Sequence, residues 1–367
     1  MNPELQNQLK QTARKSQDLM DAGLISPEKA AEIDRTAAQF SMAITSDMMA
    51  LLEPSIPENP IARQFVPTAA ELRVLPEEDA DPIGDAPFSP IKGITHRYPD
   101  RLLLKLVHVC PVYCRFCFRR EKVGTGGEGL SPAELSTALA YIRKQTDVWE
   151  VILSGGDPLI LPSSRLEHVI RELDAIDHVD VIRIHTRVPV VDPQRVDTAL
   201  IKALKVKTPV YVVLHANHPL EITASAEIAC AALVDAGIPM LSQSVLLKGV
   251  NDDPKIMTQL MRAFIRNRIK PYYLHHGDLA QGTSHFRTSI KAGQEIMRLM
   301  RGRVSGLCQP TYILDIPGGY GKVPIGPQYL YAGNEEDMYQ VEDPWSKIHE
   351  YPPEAKTANS EKPHNNP

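Results

Sequence analysis

The strongest constraint on the fold is a regular alternation of strand-like and helix-like segments between residues 102 and 315. Helical segments begin at Ser131-Pro132, near Thr223 and at Asp253-Pro254, each with a residue suited to cap a helix. Short apolar runs typical of buried strands occur at 102–107, 149–153, 179–184, 209–214, 240–246, 271–275 and 311–315. Alternating β and α units predict a parallel sheet covered by helices.

Six such units and a closing strand favour a partial (β/α)6 barrel, similar to a TIM barrel with fewer strands. An open, doubly wound sheet is the competing α/β fold. No GxGxxG motif follows the first strand, which argues against the dinucleotide-binding version of that fold.

The chain divides into three regions. Residues 1–94 form an N-terminal extension, with two helices predicted over 1–53 and an irregular, proline-rich strap over 54–94. Residues 95–330 contain the barrel. Residues 331–367 form a C-terminal extension, which we expect to be disordered from about residue 351 because it is polar and rich in proline.

Polar side chains gather where the predicted strands end. In parallel α/β barrels the loops at this end build the active site. The groups, in strand order, are Cys110 to Cys117, Ser154 to Asp157, His185 to Arg187, His215 to His218, Gln243-Ser244, His275 to Asp278, and Asp315. Their repeated position predicts one site at the carboxyl ends of the strands.

Cys110, Cys114 and Cys117 follow the first strand at CxxxCxxC spacing. Three thiolates can each bind one iron of a 4Fe–4S cluster and leave the fourth iron free to activate a small molecule. Structural zinc is the alternative, but a zinc site usually pairs two CxxC units or adds histidines, and no second CxxC is present. Cys230 and Cys308 are isolated, and we expect both to be buried.

The segment from Pro317 to Lys322 follows the last strand and is rich in glycine. It is not a phosphate-binding P-loop, because Ile316 and Val323 occupy the glycine and hydroxyl positions of that motif. A lysine at the catalytic end could form a Schiff base with pyridoxal phosphate (PLP), or it could be an ordinary exposed lysine. Arg97 and Arg101 could bind the phosphate, or could simply form surface ion pairs.

Together these motifs resemble the lysine 2,3-aminomutase family, whose members use radical S-adenosylmethionine (SAM) chemistry together with PLP. The similarity extends from about Thr95 to Pro327. It includes THRYPDR (95–101), the three cysteines, LSGGDPL (153–159), HPLEIT (218–223), QSVLLKGVND (243–252), PYYLHHGDLAQGTSHFRT (271–288) and DIPGGYGK (315–322). The resemblance implies the partial (β/α)6 barrel of radical SAM enzymes.

The resemblance also implies site residues. Cysteines 110, 114 and 117 would hold the 4Fe–4S cluster. The residues implied for SAM are Ser154, Gly155, Gly156, Asp157, His215 and Gln243. Lys322 would carry PLP, with Arg97 and Arg101 at its phosphate, and the substrate contacts would be Arg119 at the carboxylate with Asp278 and Asp315 at the side-chain ammonium.

Two carboxylates around one ammonium favour a dicationic amino acid over an acidic one. By resemblance, glutamate-specific relatives carry a lysine and an asparagine at the positions of Asp278 and Asp315. The alternative is that both aspartates have only a structural role, as caps of their loops. Where family members bind zinc near the position of Asp253 and in a C-terminal extension, this chain has no cysteine, so we expect no zinc. Tyr320 also replaces a glycine of the family's lysine loop.

Length, charge and cysteine content limit the partners and the cellular location that we expect. The chain has 367 residues, a formal net charge of -5 and no 18-residue apolar run, so neither nucleic acid nor a membrane is an expected partner. Five cysteines, three of them clustered, do not form a disulfide framework, and the start of the sequence has no signal-peptide pattern. We therefore expect a cytoplasmic protein, with homo-oligomerisation left open.

The sequence thus predicts an isomerase that converts L-lysine to L-β-lysine and receives electrons from a donor such as flavodoxin or ferredoxin. Other readings stay open: a different cationic substrate such as arginine, or supply of β-lysine for modification of elongation factor P. A non-catalytic iron–sulfur electron carrier is the alternative from another class, although a carrier needs no Schiff-base lysine.

Overall fold

The computed structural model describes residues 12–53, 58–124, 129–333 and 338–352. Nine strands form one sheet in sequence order. They are β1 (Ile94–Tyr98), β2 (Arg101–Val107), β3 (Glu150–Gly155), β4 (Val181–Thr186), β5 (Val210–His215), β6 (Met240–Val245), β7 (Ile269–His275), β8 (Thr311–Ile316) and β9 (Gly321–Pro324). Strands β2 to β8 are parallel, and the two edge strands are antiparallel to their neighbours.

The parallel strands confirm the seven predicted strands and the barrel-like α/β architecture. The antiparallel strands at the two edges were not predicted. The strands are joined by the helices α5 (Pro132–Lys144), α6 (Ser163–Asp174), α7 (Val188–Val191), α8 (Thr198–Leu204), α9 (Ala224–Asp235), α10 (Pro254–Arg266) and α11 (Ile290–Met300). Buried apolar residues of these helices join the core, as Leu260, Met261 and Phe264 of α10 do.

The predicted helix starts are confirmed by their caps. Ser131 accepts a hydrogen bond from the backbone N–H of Glu134, and Asp253 accepts hydrogen bonds from Lys255 and Ile256. Thr223 caps α9 in the same way by accepting from Ala226. These bonds satisfy N–H groups that the first turn of a helix leaves without partners.

The N-terminal extension contains α1 (Ser16–Asp21), α2 (Pro27–Ala37), α3 (Ser46–Met49) and α4 (Pro60–Phe65). Ser26 caps α2, as predicted. The described part of the strap has one short helix, α4, and single 3-10 turns at Ala69–Leu72 and Ala86–Phe88. The strap lies across the carboxyl ends of the strands. There the backbone N–H of Asp79 donates a hydrogen bond to the carbonyl of Leu279, in the loop after β7.

A small antiparallel sheet forms the described part of the C-terminal extension: β10 (Leu330–Ala332), β11 (Tyr339–Glu342) and β12 (Ile348–Tyr351). Arg298 of α11 pairs with Glu342 and holds this sheet to the barrel. The sequence did not predict these strands, and most of the predicted disordered tail lies outside the described residues. None of the helices in the described ranges is long and apolar enough to cross a bilayer.

Candidate active site

One cavity of about 740 Å³ opens at the carboxyl ends of the strands and continues into the barrel. Every site residue predicted from the sequence lines it. The lining includes Arg97, Arg101, Cys110, Cys114, Cys117, Arg119, Ser154, Gly155, Gly156, Asp157, His215, Gln243, Asp278, Asp315 and Lys322. Residues separated by more than 200 positions in the chain therefore surround one space.

The loop that follows β2 and carries the three cysteines (residues 108–120, the cysteine loop) is held in place by the N-terminal extension. The backbone N–H groups of Tyr113 and Arg115 donate to the carbonyls of Ala43 and Gln64, at 2.9 and 2.8 Å. The guanidinium groups of Arg115 and Arg120 both pair with Glu71, whose side chain is fully buried. A buried carboxylate shared by two arginines thus holds the loop in place.

The three thiols are free and half-buried. Burial, and then the charges of Asp157 and the other thiols, raise the pKa of Cys110 well above its usual value; burial raises that of Cys117 to about 11. Such thiols bind as thiolates only when a metal supplies compensating charge. Within the described part of the chain, no three His, Cys, Asp or Glu side chains converge on a single ion. Three free thiols that line one cavity fit a cluster, in which each sulfur binds a different iron.

Arg187, which follows β4, contacts the cysteine loop directly. Its Nη1 donates to Cys114 Sγ at 2.9 Å, and its Nη2 donates to Gln64 and Glu221. The sequence marked Arg187 only as one of several polar groups at a strand end. Its partner on the cysteine loop could not be predicted, because the two residues are 73 positions apart.

The glycine-rich turn after β3 packs against the backbone that leads into the cysteines. A Cβ on Gly156 would lie 2.2 Å from the carbonyl oxygen of Val109, and Gly155 has a φ of +110°. Both positions therefore require glycine. The backbone N–H groups of Gly156 and Asp157 donate to the carbonyls of Val107 and Val109.

The side chain of Asp157 has a structural task in this turn. Its carboxylate accepts hydrogen bonds from the Thr186 hydroxyl and from the backbone N–H groups of Leu159 and Arg187, at 2.7 to 3.0 Å. Only 4% of the residue is exposed. Asp157 thus ties the loop after β3 to the loop after β4, a role that the SAM assignment from sequence did not include.

Lys322 reaches across to Asp315. The Lys322 ammonium makes a close ion pair with this carboxylate, and His275 Nδ1 lies 3.5 Å from it. Although burial alone would raise it, the hydrogen bond from His275 and the nearby Lys322 charge lower the pKa of Asp315 to about 2. Asp315 is therefore a carboxylate that already accepts a primary ammonium group.

Asp278 adds a second carboxylate to this side of the cavity. Burial, and then the charge of Asp315, raise the pKa of Asp278 to about 7. Two carboxylates that face one space repel each other, and a cation between them relieves the repulsion. The pair is therefore suited to bind a positively charged group. A purely structural role as loop caps would not explain why both aspartates line the same cavity.

The three predicted arginines line the same cavity. Arg97 and Arg119 both pair with Asp85 of the strap, at 3.1 and 2.9 Å. Arg101 pairs with Asp100 and stacks on the ring of Tyr98 at 3.8 Å. Asp85 is a cavity residue that sequence reasoning missed, because no motif marks it within the proline-rich strap.

Several cavity groups have hydrogen-bonding atoms without a protein partner. The Nε2 atoms of His185 and His215 and the Nε of Arg97 are buried and make no hydrogen bond to the protein. Burial, reinforced by nearby cations, lowers the pKa of both histidines well below the usual value, so both rings are neutral. Buried polar atoms are rarely left unpaired, so these atoms indicate a polar ligand. The residues present therefore fit a cluster, SAM and PLP in one cavity.

Comparison with known proteins agrees with this geometry. Residues 104–260 match the model of the radical SAM superfamily, and residues 297–341 match the lysine-2,3-aminomutase model. The chain is 42% identical to L-lysine 2,3-aminomutase of Acetoanaerobium sticklandii and 40% identical to that of Clostridium subterminale, in both cases over 86% of this chain and 76% of the relative. It is also 40% identical to glutamate 2,3-aminomutase of Clostridioides difficile, over 82% of this chain and 71% of the relative.

Both the strand-end cavity and these similarities lead to the same assignment. The chain belongs to the lysine 2,3-aminomutase family of the radical SAM superfamily.

Proposed function

We propose that this protein isomerises L-lysine to L-β-lysine by moving the amino group from C2 to C3. The observation that carries this proposal is the pairing of Asp315 with a primary ammonium, that of Lys322, beside a second carboxylate, Asp278. A substrate lysine presents the same ammonium group on a side chain of the same length. The named lysine 2,3-aminomutases among the relatives support this substrate.

Radical SAM proteins carry a 4Fe–4S cluster and use SAM, and lysine 2,3-aminomutases also use PLP. Bound in this cavity, these groups supply one-electron chemistry at a substrate carbon and a covalent electron sink at the substrate nitrogen. Cys110, Cys114 and Cys117 are the proposed cluster ligands. The proposed SAM contacts are Ser154, Gly155, Gly156, His215 and Gln243, with Asp157 holding the turn. Lys322, Arg97 and Arg101 are proposed to hold PLP.

The substrate is held at both ends. Arg119 offers its guanidinium to the α-carboxylate, and Asp85 on its other side fixes its orientation. Asp278 and Asp315 take the side-chain ammonium. Holding both ends leaves the carbon chain little freedom, so that C2 and C3 stay at contact distance from the reacting groups.

We propose that Lys322 occupies Asp315 when no PLP is bound and leaves it to the substrate when PLP is bound. In the cofactor-free protein its ammonium occupies the carboxylate that the substrate ammonium needs. If Lys322 held PLP, its ammonium would no longer occupy Asp315, and the carboxylate would be available to the substrate ammonium. His275 stays beside the carboxylate and keeps it oriented in both situations.

The same two aspartates discriminate against glutamate. A glutamate side chain would place a third carboxylate beside Asp278 and Asp315, and its charge would have no partner there. An unpaired buried charge costs roughly 2–5 kcal/mol. We therefore propose lysine as the substrate, although a glutamate 2,3-aminomutase is among the similar proteins.

The experiment that tests the substrate is an anaerobic assay with SAM, PLP, dithionite and single amino acids, analysed by chiral chromatography. L-lysine should give β-lysine, and L-glutamate should stay unchanged. L-arginine, also a cation, is the most informative competitor. Rearrangement of arginine or glutamate with lysine left unchanged would overturn the assignment.

Residues 95–330 form the catalytic unit, with the N-terminal extension (1–94) and the C-terminal extension (331–367) as supporting regions. A one-electron donor such as flavodoxin or ferredoxin supplies the reducing electron. The protein works in the cytoplasm, where reducing conditions protect an iron–sulfur cluster.

A further inference from the structure

The guanidinium of Arg187 is held against a sulfur of the cysteine loop. Its Nη1 donates to Cys114 Sγ at 2.9 Å. The residue is only 5% exposed, and the rings of Phe65 and Phe116 lie 4.7 and 5.6 Å from the guanidinium carbon. The two rings pack against the guanidinium, and little of the residue is open to solvent.

The opposite edge of the guanidinium is anchored by a buried network. Nη2 donates to Gln64 Oε1 at 2.7 Å and to Glu221 Oε2 at 2.5 Å. Glu221 is itself fully buried, and its other oxygen accepts the backbone N–H groups of Asn217 and His218 at 2.9 Å. Because Glu221 is fixed to the loop after β5, Arg187 cannot turn away from Cys114.

We propose that Arg187 sets the reduction potential of the cluster ligated by Cys114, by holding a permanent positive charge and an N–H donor on that sulfur. This inference rests on the proposed function, in which Cys114 is a cluster ligand. One-electron reduction makes the cluster more negative by one charge. A fixed cation and a hydrogen bond to the sulfur stabilise the reduced cluster more than the oxidised one, so the potential rises.

Other charges near the cluster do not reproduce this contact. Asp157 lies near Cys110, but its carboxylate is bound by Thr186 and by backbone N–H groups. Arg119 and Arg120 lie near Cys117, but the guanidinium hydrogen bonds that the structure describes for them go to Asp85, Ser154, Glu71 and two backbone carbonyls, and not to a sulfur. The Arg187–Glu221 pair is therefore a fixed dipole whose positive end contacts a cluster ligand.

Arginine suits this task better than lysine. Its side chain stays protonated at any physiological pH, and its planar group can contact the sulfur and the carboxylate at the same time. In this role Arg187 is a positioning residue. It acts on the cluster through Cys114, and it determines how much of the enzyme a given one-electron donor can reduce.

The test is a redox titration of anaerobically reconstituted protein without SAM. Europium(II) chelates set the potential, and electron paramagnetic resonance measures the reduced fraction of the cluster in each sample. We expect Arg187→Gln to shift the midpoint potential to more negative values. Arg187→Lys, which retains the charge, should shift it less.

A double variant distinguishes an effect of the Arg187 charge on the cluster from a loss of packing. Arg187→Gln alone leaves the Glu221 charge near the cluster, whereas Arg187→Gln with Glu221→Gln removes both charges. The double variant should therefore have a midpoint between those of the wild type and the single variant. Arg298→Gln, which breaks an ion pair with Glu342 on the outside of the barrel, is the control and should leave the midpoint unchanged.

Three results would overturn the inference: a wild-type midpoint in Arg187→Gln, equal shifts in the Gln and Lys variants, or a double variant as negative as the single one. Because the reduced fraction refers to the cluster present in each sample, incomplete loading of a variant does not affect the comparison. A wild-type protein that binds no cluster would instead overturn the proposed function, and this inference with it.

Discussion

The hydroxyl of Tyr98 accepts a hydrogen bond of 3.0 Å from the backbone N–H of Lys322. Tyr98 ends β1 and Lys322 lies in β9, which are the strands at opposite edges of the nine-stranded sheet. This bond joins the two edges across the opening of the barrel. It also fixes the backbone from which the Lys322 side chain reaches Asp315.

Tyr98→Phe should weaken PLP binding about fivefold, because a typical hydrogen bond contributes about 1 kcal/mol. The substitution retains the ring on which Arg101 stacks, so the arginine keeps its position. Titration with PLP, followed by visible absorption, measures the affinity. Tyr141→Phe loses a similar hydroxyl contact, to His96 on the same strand, and should leave the affinity unchanged. Equal losses in the two variants would show that the Tyr98–Lys322 bond has no specific effect.

Glu71→Gln should destabilise the protein by about 3–5 kcal/mol, because it leaves two buried guanidinium groups without a carboxylate. Arg115 and Arg120 flank Cys117 in the sequence, so the loss should also reduce cluster loading. Denaturant unfolding and the iron content after reconstitution are the measurements. Glu77→Gln removes a half-exposed glutamate of the same strap that pairs with Arg287, and should leave the unfolding free energy close to that of the wild type. Normal iron content in Glu71→Gln would contradict the anchoring role.

Gly156→Ala should displace the backbone before Cys110, because the new methyl group would lie 2.2 Å from the Val109 carbonyl oxygen. That oxygen cannot move without moving the cysteine loop. We expect a lower iron and sulfide content per chain after reconstitution, measured by colorimetric assay. Gly326→Ala adds a methyl group with no atom within 4 Å and should load normally. If both alanine variants load equally, the packing of the turn on the cysteine loop is not required.

The activity on lysine should depend on the ionisation of Asp278. Burial and the charge of Asp315 raise the pKa of this acid to about 7, and only the ionised form attracts the substrate ammonium. As the pH falls below about 7, Asp278 takes up a proton, so kcat/KM should decrease by up to about tenfold per pH unit. Above that pH, kcat/KM should level off with respect to this group.

Asp278→Asn separates this effect from other titrating groups. The variant should lose the pH dependence near 7 and have at least about tenfold lower kcat/KM at pH 8, where wild-type Asp278 is ionised. Asp147→Asn, at an exposed position after α5, should retain the wild-type profile. A wild-type profile in Asp278→Asn would exclude Asp278 from substrate binding.

The sequence predicted the parts of the site that depend on local pattern. Apolar periodicity located β2 to β8 within a few residues, and most of the polar residues singled out after those strands line one cavity. Cys110 and Asp315 are far apart in sequence but line the same cavity, because parallel strands bring their carboxyl ends to the same edge of the sheet.

The remaining features depend on contacts that no local pattern records. Asp85 acquires its place in the cavity only when the strap folds across the barrel and meets Arg97 and Arg119. The antiparallel edge strands are short, and their pairing is set by tertiary contacts such as the Tyr98–Lys322 bond. The contact of Arg187 with Cys114 likewise requires two loops from different strands to meet.

The most direct test of the central claim is formation of β-lysine by anaerobically reconstituted protein with SAM, PLP, dithionite and L-lysine. Two single variants probe the two parts of the cavity: Cys114→Ala removes a cluster ligand and Lys322→Ala removes the PLP lysine. The account predicts β-lysine and 5′-deoxyadenosine from the wild type, and no β-lysine from either variant. A wild-type protein that forms neither product, or a Lys322→Ala variant that rearranges lysine at the wild-type rate, would contradict it.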